Sequence, residues 1–204
     1  MEQLYSAIDA LLLRQERVLI ALDGPSCAGK TTLARELLAR YGANVFHMDD
    51  FFLPAELRTS SRYAEPGGNI HYERFLTEVL LPLRHGRDVM LRRFDCGTMA
   101  LSAPERIAYR PLTIVEGAYS HHPALRDLYN LRVFLDIAKE AQLARLCARN
   151  GQSGAEMFIH RWIPLEERYF EGCAVRQHAD LILDGAQTAS LETLDGGDAA
   201  PKEE

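Results

Sequence analysis

Residues 18–32 read VLIALDGPSCAGKTT, an apolar run that stops at Asp23 and passes directly into a loop of small residues. Such a run, broken abruptly by Gly and Pro, is the pattern of a buried strand ending in a tight loop. The spacing Gly24-Pro25-Ser26-Cys27-Ala28-Gly29-Lys30-Thr31 fits G-x-x-x-x-G-K-[ST]. In that pattern backbone N–H groups wrap phosphates, the lysine neutralises their charge and the hydroxyl reaches Mg²⁺. Accidental glycines in an ordinary turn would produce it in roughly one chain of this length in a hundred. The context makes accident less plausible still. Leu33, Leu37, Leu38 and Tyr41 recur at helical spacing until Gly42 offers a C-cap, so a helix N-terminus with its partial positive charge faces the phosphates. The loop reads as a nucleoside triphosphate site, with Gly24, Ser26, Cys27, Ala28, Gly29, Lys30, Thr31 and Thr32 as its nucleotide-binding residues.

At 204 residues, 47% apolar and 25% charged, the chain suffices for one well-buried core and is short for two domains. A net charge of −6 argues against a nucleic-acid partner, since duplex binding calls for a basic surface. Residues 1–17 carry Glu2, Asp9 and Glu16 among Leu4, Ile8, Leu11 and Leu12, an amphipathic helix rather than a signal peptide. No run is long enough to span a bilayer, so no membrane partner is expected. Cys27, Cys96, Cys147 and Cys173 are scattered without C-x-x-C pairing, which disfavours a zinc site or a disulfide framework and points to the cytoplasm. The oligomeric state stays open, a homo-oligomer included.

Short apolar runs at 18–22, 43–48, 89–93, 112–115, 132–137 and 180–183 read as strands. Helical patterns lie between them. One, through Phe75, Leu76, Val79, Leu80 and Leu83, closes at Gly86; another, through Leu143, Leu146 and Cys147, closes at Asn150-Gly151. The alternation predicts an α/β fold: a single P-loop NTPase domain over 17–184, with a mostly parallel sheet and helices on both faces. An N-terminal amphipathic helix over 1–16 precedes it. A tail over 185–204, ending GGDAAPKEE without apolar periodicity, reads as disordered.

Ligands of such sheets bind at the carboxyl ends of the strands. There Val45-Phe46-His47-Met48 runs into Asp49-Asp50, and Leu112-Thr113-Ile114-Val115 into Glu116. One acid at a strand end is ordinarily a turn or cap residue. Three on the loop's own rim suggest more. A P-loop enzyme needs a carboxylate for the Mg²⁺ shell, and a kinase needs another near the acceptor hydroxyl. Consecutive strand residues point to opposite faces, so Asp49 and Asp50 cannot share one role, and spacing does not choose between them.

GPSCAGKTT, HMDDFF, NIHYERF, FDC, IVEGAYS, DLILDG and the arginine-bearing LARLCARNG occur in an order that resembles the uridine kinase-like branch of P-loop kinases, over roughly residues 18–184. That branch includes nicotinamide riboside kinases and, more distantly, phosphoribulokinase and bacterial pantothenate kinase. The resemblance implies ATP as donor, Mg²⁺ held by Thr31 with Glu116 nearby, and transfer of the γ-phosphoryl group to a hydroxyl of a small, nucleoside-like metabolite. It implies Asp49 as general base beside Lys30, and Arg145 and Arg149 as lid arginines. On the acceptor side it points to Asp49, Asp50, His71, Asp95 and Tyr119.

The departures also fall on that side. Uridine kinases carry Asn-Phe-Asp-His where this chain has Asn69-Ile70-His71-Tyr72, and a His and an Arg after Tyr-Asp-Phe where it has Phe94-Asp95-Cys96-Gly97-Thr98-Met99. Loss of these polar readers predicts that uridine and cytidine are poor acceptors. A non-nucleoside alcohol, such as a vitamin, a pantothenate-like compound or a sugar, is the alternative acceptor. A nucleotide-hydrolysing switch or ATPase module is the rival class, but the guanine-reading N-K-x-D signature is absent. Cys27 reads as a small filler, His121-His122 as a helix start or pocket lining, and Trp162 as packed core or lid hinge.

Overall fold

The computed structural model describes residues 1–188 of the chain. Its strands are β1 (Val18–Asp23), β2 (Asn44–His47), β3 (Val89–Leu91), β4 (Phe94–Asp95), β5 (Ala100–Leu101), β6 (Glu105–Ile107), β7 (Leu112–Glu116), β8 (Leu131–Asp136) and β9 (Leu181–Asp184). Five of them form one sheet in the order β2-β7-β1-β8-β9, with every neighbouring pair parallel. All six residues of central β1 are buried, which is why it reads as an unbroken apolar run. Val18, Ile20 and Leu22 enter one core layer, Leu19 and Ala21 the other, as a two-residue period requires.

Helices α1 (Glu2–Arg14) and α2 (Lys30–Tyr41) cover the first face. Leu4 and Ile8 of α1 and Leu33 and Leu37 of α2 pack with Ile20, Leu22, Ile114 and Val133, so the N-terminal helix shares its core with the sheet. Gly42 caps α2 at φ 63°, where the sequence marks its end. Short α3 (Ser60–Ala64) leads towards the second face. There α4 (Tyr72–Phe75) continues through a π-turn at Leu76–Leu80 into α5 (Leu81–Arg84). Phe75, Val79, Leu80 and Leu83 pack against Leu19, Phe46 and Val115. Then α6 (Lys139–Met157) passes through a second π-turn, Phe158–Trp162, into α7 (Ile163–Gly172).

Three expectations need correction. The run at 89–93 does not join the parallel sheet: β3 pairs antiparallel with β6, and β4 with β5, as two small ribbons. Met90 is exposed between buried Val89 and Leu91, and Arg92-Arg93 at the end of the run would be costly to bury in a sheet covered on both faces. Nor does Asn150-Gly151 end its helix. The backbone leaves helical geometry at Gly151 (φ 67°, ψ 176°) and resumes as far as Met157. Lastly, Gly185–Thr188, the start of the expected tail, forms a 3-10 turn with Thr188 buried. The rest of that tail lies outside the described residues.

Candidate active site

The loop after β1 is built for close backbone approach. Gly24 has φ 138°, and a Cβ there would run into the Leu135 carbonyl of β8; no other residue tolerates both conditions. Asp23, fully buried at the end of β1, accepts the Gly24 N–H at 2.7 Å, the His121 N–H at 2.8 Å and the Tyr169 hydroxyl at 2.8 Å. One carboxylate thereby fixes the loop, the segment after β7 and α7 to one another. The Lys30 ammonium is buried and donates to the Gly24 and Pro25 carbonyls at 2.7 and 2.8 Å. Of the expected nucleotide-binding residues, Ser26, Cys27, Gly29, Lys30, Thr31 and Thr32 line a cleft of about 780 Å³. Gly24 and Ala28 do not line it; the Ala28 methyl packs in the core and its N–H donates to Pro25. Burial pushes the Cys27 thiol up, which suits a filler rather than a nucleophile.

Across the cleft, the Thr31 hydroxyl lies 3.3 Å from both Glu116 oxygens. Glu116 also pairs with His47 Nδ1 at 2.5 Å, and that bond holds His47 above the usual histidine range against the effect of burial. Asp49 and Asp50 sit on a 3-10 turn, Met48–Phe51, not on the strand itself. Asp49 lines the cleft. Its surface meets solvent there, yet protein crowds it closely, and this desolvation followed by the charge of Glu116 raises its pKa while Lys30 opposes the rise. Asp50 turns away to Arg93 at 3.3 Å. Buried Arg74 clamps the turn, donating to the Asp50 carbonyl at 3.0 Å and the Arg92 carbonyl at 2.8 Å.

Tyr119 also lines the cleft, with φ 78° and a buried hydroxyl. That hydroxyl and the Asn69 amide nitrogen are both buried without a hydrogen-bond partner among the described residues. His71 and Asp95 are elsewhere. His71 caps α4 and lines a separate cavity of about 300 Å³ with Leu53, Leu57 and Arg62. Exposed Asp95 accepts the Gly97 and Thr98 N–H groups at 2.7 and 3.3 Å, an Asx turn. The lid arginines do reach the cleft. Arg145 donates to the Cys27 carbonyl at 3.1 Å and the Gly185 carbonyl at 3.3 Å, and Arg149 stands over the Phe158 ring at 5.4 Å.

Sequence reasoning missed Arg35, Phe52, Glu166 and, as a cleft residue, Trp162. Trp162 ends the π-turn and packs on Phe52 at 5.5 Å between ring centroids, so it forms wall rather than core. His122 stacks on Tyr72 at 3.9 Å and His121 is fully buried; neither histidine lines the cleft.

Residues 19–156 match the model of the Phosphoribulokinase / Uridine kinase family. This chain belongs to that family. Among its curated relatives, a uridine kinase of Chloroflexus aurantiacus is 27% identical over 82% of this chain and 87% of its own length. A uridine kinase of Chlamydia pneumoniae is 25% identical over 89% and 88%. Two solved structures share the fold. A Bacillus stearothermophilus protein described as a possible uridine kinase has TM-score 0.64 at 22% identity, covering 89% of this chain and all (100%) of its own. A Silicibacter protein described as a candidate fructose transport system kinase has TM-score 0.68 at 23% identity, covering 88% and 97%. The chain is therefore a uridine kinase-like, ATP-dependent phosphotransferase that acts on a hydroxyl of a small molecule. No helix among this kinase's described residues is long and apolar enough to cross a membrane.

Proposed function

We propose that the acceptor is a nucleoside and that Asp49 takes the proton of its attacking hydroxyl. The observation that carries this is the convergence of Lys30, Thr31, Glu116 and Asp49 on one cleft whose wall is the Phe52–Trp162 pair. Loop N–H groups and Lys30 hold the ATP phosphates, the acceptor oxygen attacks the γ-phosphorus as Asp49 receives the proton, and ADP leaves. Arg145 and Arg149 steady the spreading charge and help exclude water.

Thr31 and Glu116 fit a Mg²⁺ ion, because two hard oxygens face one another at 3.3 Å beside the loop. One hydroxyl and one carboxylate would leave the remaining positions of the ion to phosphates and water, as Mg²⁺ is ordinarily held. When bound, Mg²⁺ neutralises charge on the β- and γ-phosphates. Cys27, Cys96, Cys147 and Cys173 are all free thiols, which supports a cytoplasmic location.

A panel of nucleosides and non-nucleoside alcohols, read by ATP consumption and product mass, tests the acceptor class. At least one nucleoside is expected to turn over at about 10⁴ M⁻¹s⁻¹ or better. Uridine and cytidine should fall below it about ten- to a hundredfold, since each unsatisfied buried polar group costs roughly 1–3 kcal/mol and His71 and Asp95 lie outside the cleft. Ordinary efficiency with a sugar or vitamin and none with nucleosides would overturn the nucleoside reading. Ordinary efficiency with uridine would overturn the discrimination.

A further inference from the structure

We propose that Glu166 reads the acceptor by accepting a hydrogen bond from a second hydroxyl, one that is not phosphorylated, so that this kinase selects diols and polyols over analogues lacking that hydroxyl. The inference rests on Lys30 and Asp49 marking the reacting end of the cleft.

Glu166 lies on α7, is 7% exposed and lines the cleft. One oxygen accepts the Ser26 N–H at 3.0 Å, and among the described residues no Lys, Arg or His pairs with the carboxylate at ion-pair distance. An ionised carboxylate offers about four acceptor sites, and Ser26, through its N–H and its nearby hydroxyl, fills at most two of them. Burying such a group is costly unless further donors arrive. Desolvation accordingly raises its pKa, with the charge of Lys30 opposing.

The carboxylate is also held in place. Tyr169, three residues on and so on the same helix face, donates to Asp23 at 2.8 Å, and both contacts grip the strand-loop unit that holds phosphate. Asp49, Tyr119 and Glu166 all line the same cleft. An acceptor whose reacting hydroxyl meets Asp49 passes Glu166 with its remaining hydroxyls. A hydroxyl satisfies the carboxylate as a neutral donor. A phosphate or carboxylate on the acceptor would instead meet Asp49, Glu116 and Glu166 together, three like charges.

A purely structural role, tying α7 to the loop, is separable from this one. Glu166→Gln keeps an oxygen for the Ser26 N–H and removes only the charge, whereas Glu166→Ala removes both. The experiment compares wild type and both variants with the best acceptor from the panel and with its analogue lacking one non-reacting hydroxyl. Thermal melting serves as the check on folding. Charge-assisted bonds are roughly twice as strong as neutral ones, so Glu166→Gln should raise acceptor KM about tenfold. Its ATP KM should stay within about twofold. Glu166→Ala should reduce the wild-type preference for the hydroxylated acceptor to about threefold or less.

If the best acceptor proves to be a sugar or other alcohol, the nucleoside reading fails while the same pairwise comparison still judges Glu166. Wild-type kinetics in Glu166→Gln, a change in ATP KM alone, or a wild type indifferent to the second hydroxyl would each overturn the proposal. So would a wild type that phosphorylates no diol in the panel.

Discussion

Lys30→Ala is expected to abolish phosphoryl transfer, lowering kcat by about 10³-fold or more, with the fold intact. The ammonium is buried and, among the described residues, bonds only the Gly24 and Pro25 carbonyls of its own loop. Bound phosphate gives it a stronger partner, and in a site shielded from water that charge matters far more than in solution. Removing one preorganised donor from such a site costs about 10²–10³ in kcat, and a full charge on the transferring group costs more. Stability should change little, because Lys30 itself lines the cleft and water can take its place there. Steady-state kinetics, ATP titration by calorimetry and a thermal melt check the three parts. Near-normal turnover would sink the loop's assignment.

The strand, loop and helix from Val18 to Gly42 were legible because everything that specifies them is contiguous. An apolar run, a glycine-rich turn and a helical stripe each carry a local signature, and the structure joins them in register as β1, its loop and α2. The ribbons were not legible. β3 reads as a short buried run, while its partner β6 is Glu105-Arg106-Ile107, with two of three residues charged and no strand pattern. Pairing across a chain reversal decides that element, and single-segment patterning does not record it.

The site divides the same way. Thr31 and Glu116 lie 85 residues apart, yet each ends or follows a parallel strand, so the rim rule brings them together. Glu166 stands 140 residues from Ser26 on a helix, not on that rim, and one Glu among Glu166, Glu167 and Glu171 bears no local mark of burial. The roles of Asp49 and Asp50 were likewise hidden, because Arg74 and Arg93 on distant segments decide which acid turns inward.

Asp49→Asn should lose roughly 10²–10⁴ in kcat, the scale of a positioned acid–base group, while ATP affinity is largely retained. Asparagine keeps the shape and can still accept a hydrogen bond, so the loss isolates the capacity to take a proton and the negative charge that orients the hydroxyl. Asp50→Asn should lose less, since that carboxylate pairs with Arg93 at 3.3 Å and does not line the cleft. Its effect should appear mainly as a lowered melting temperature, and only modestly, because Arg93 is half exposed and has Glu105 at 2.5 Å as a second partner. The matched kinetic comparison of the two variants is decisive because they differ by one position on the same short turn. The reverse ranking would move the base to Asp50. Equal and complete loss with a changed Mg²⁺ requirement would put both acids in the metal shell, leaving the acceptor hydroxyl to another group on the cleft wall.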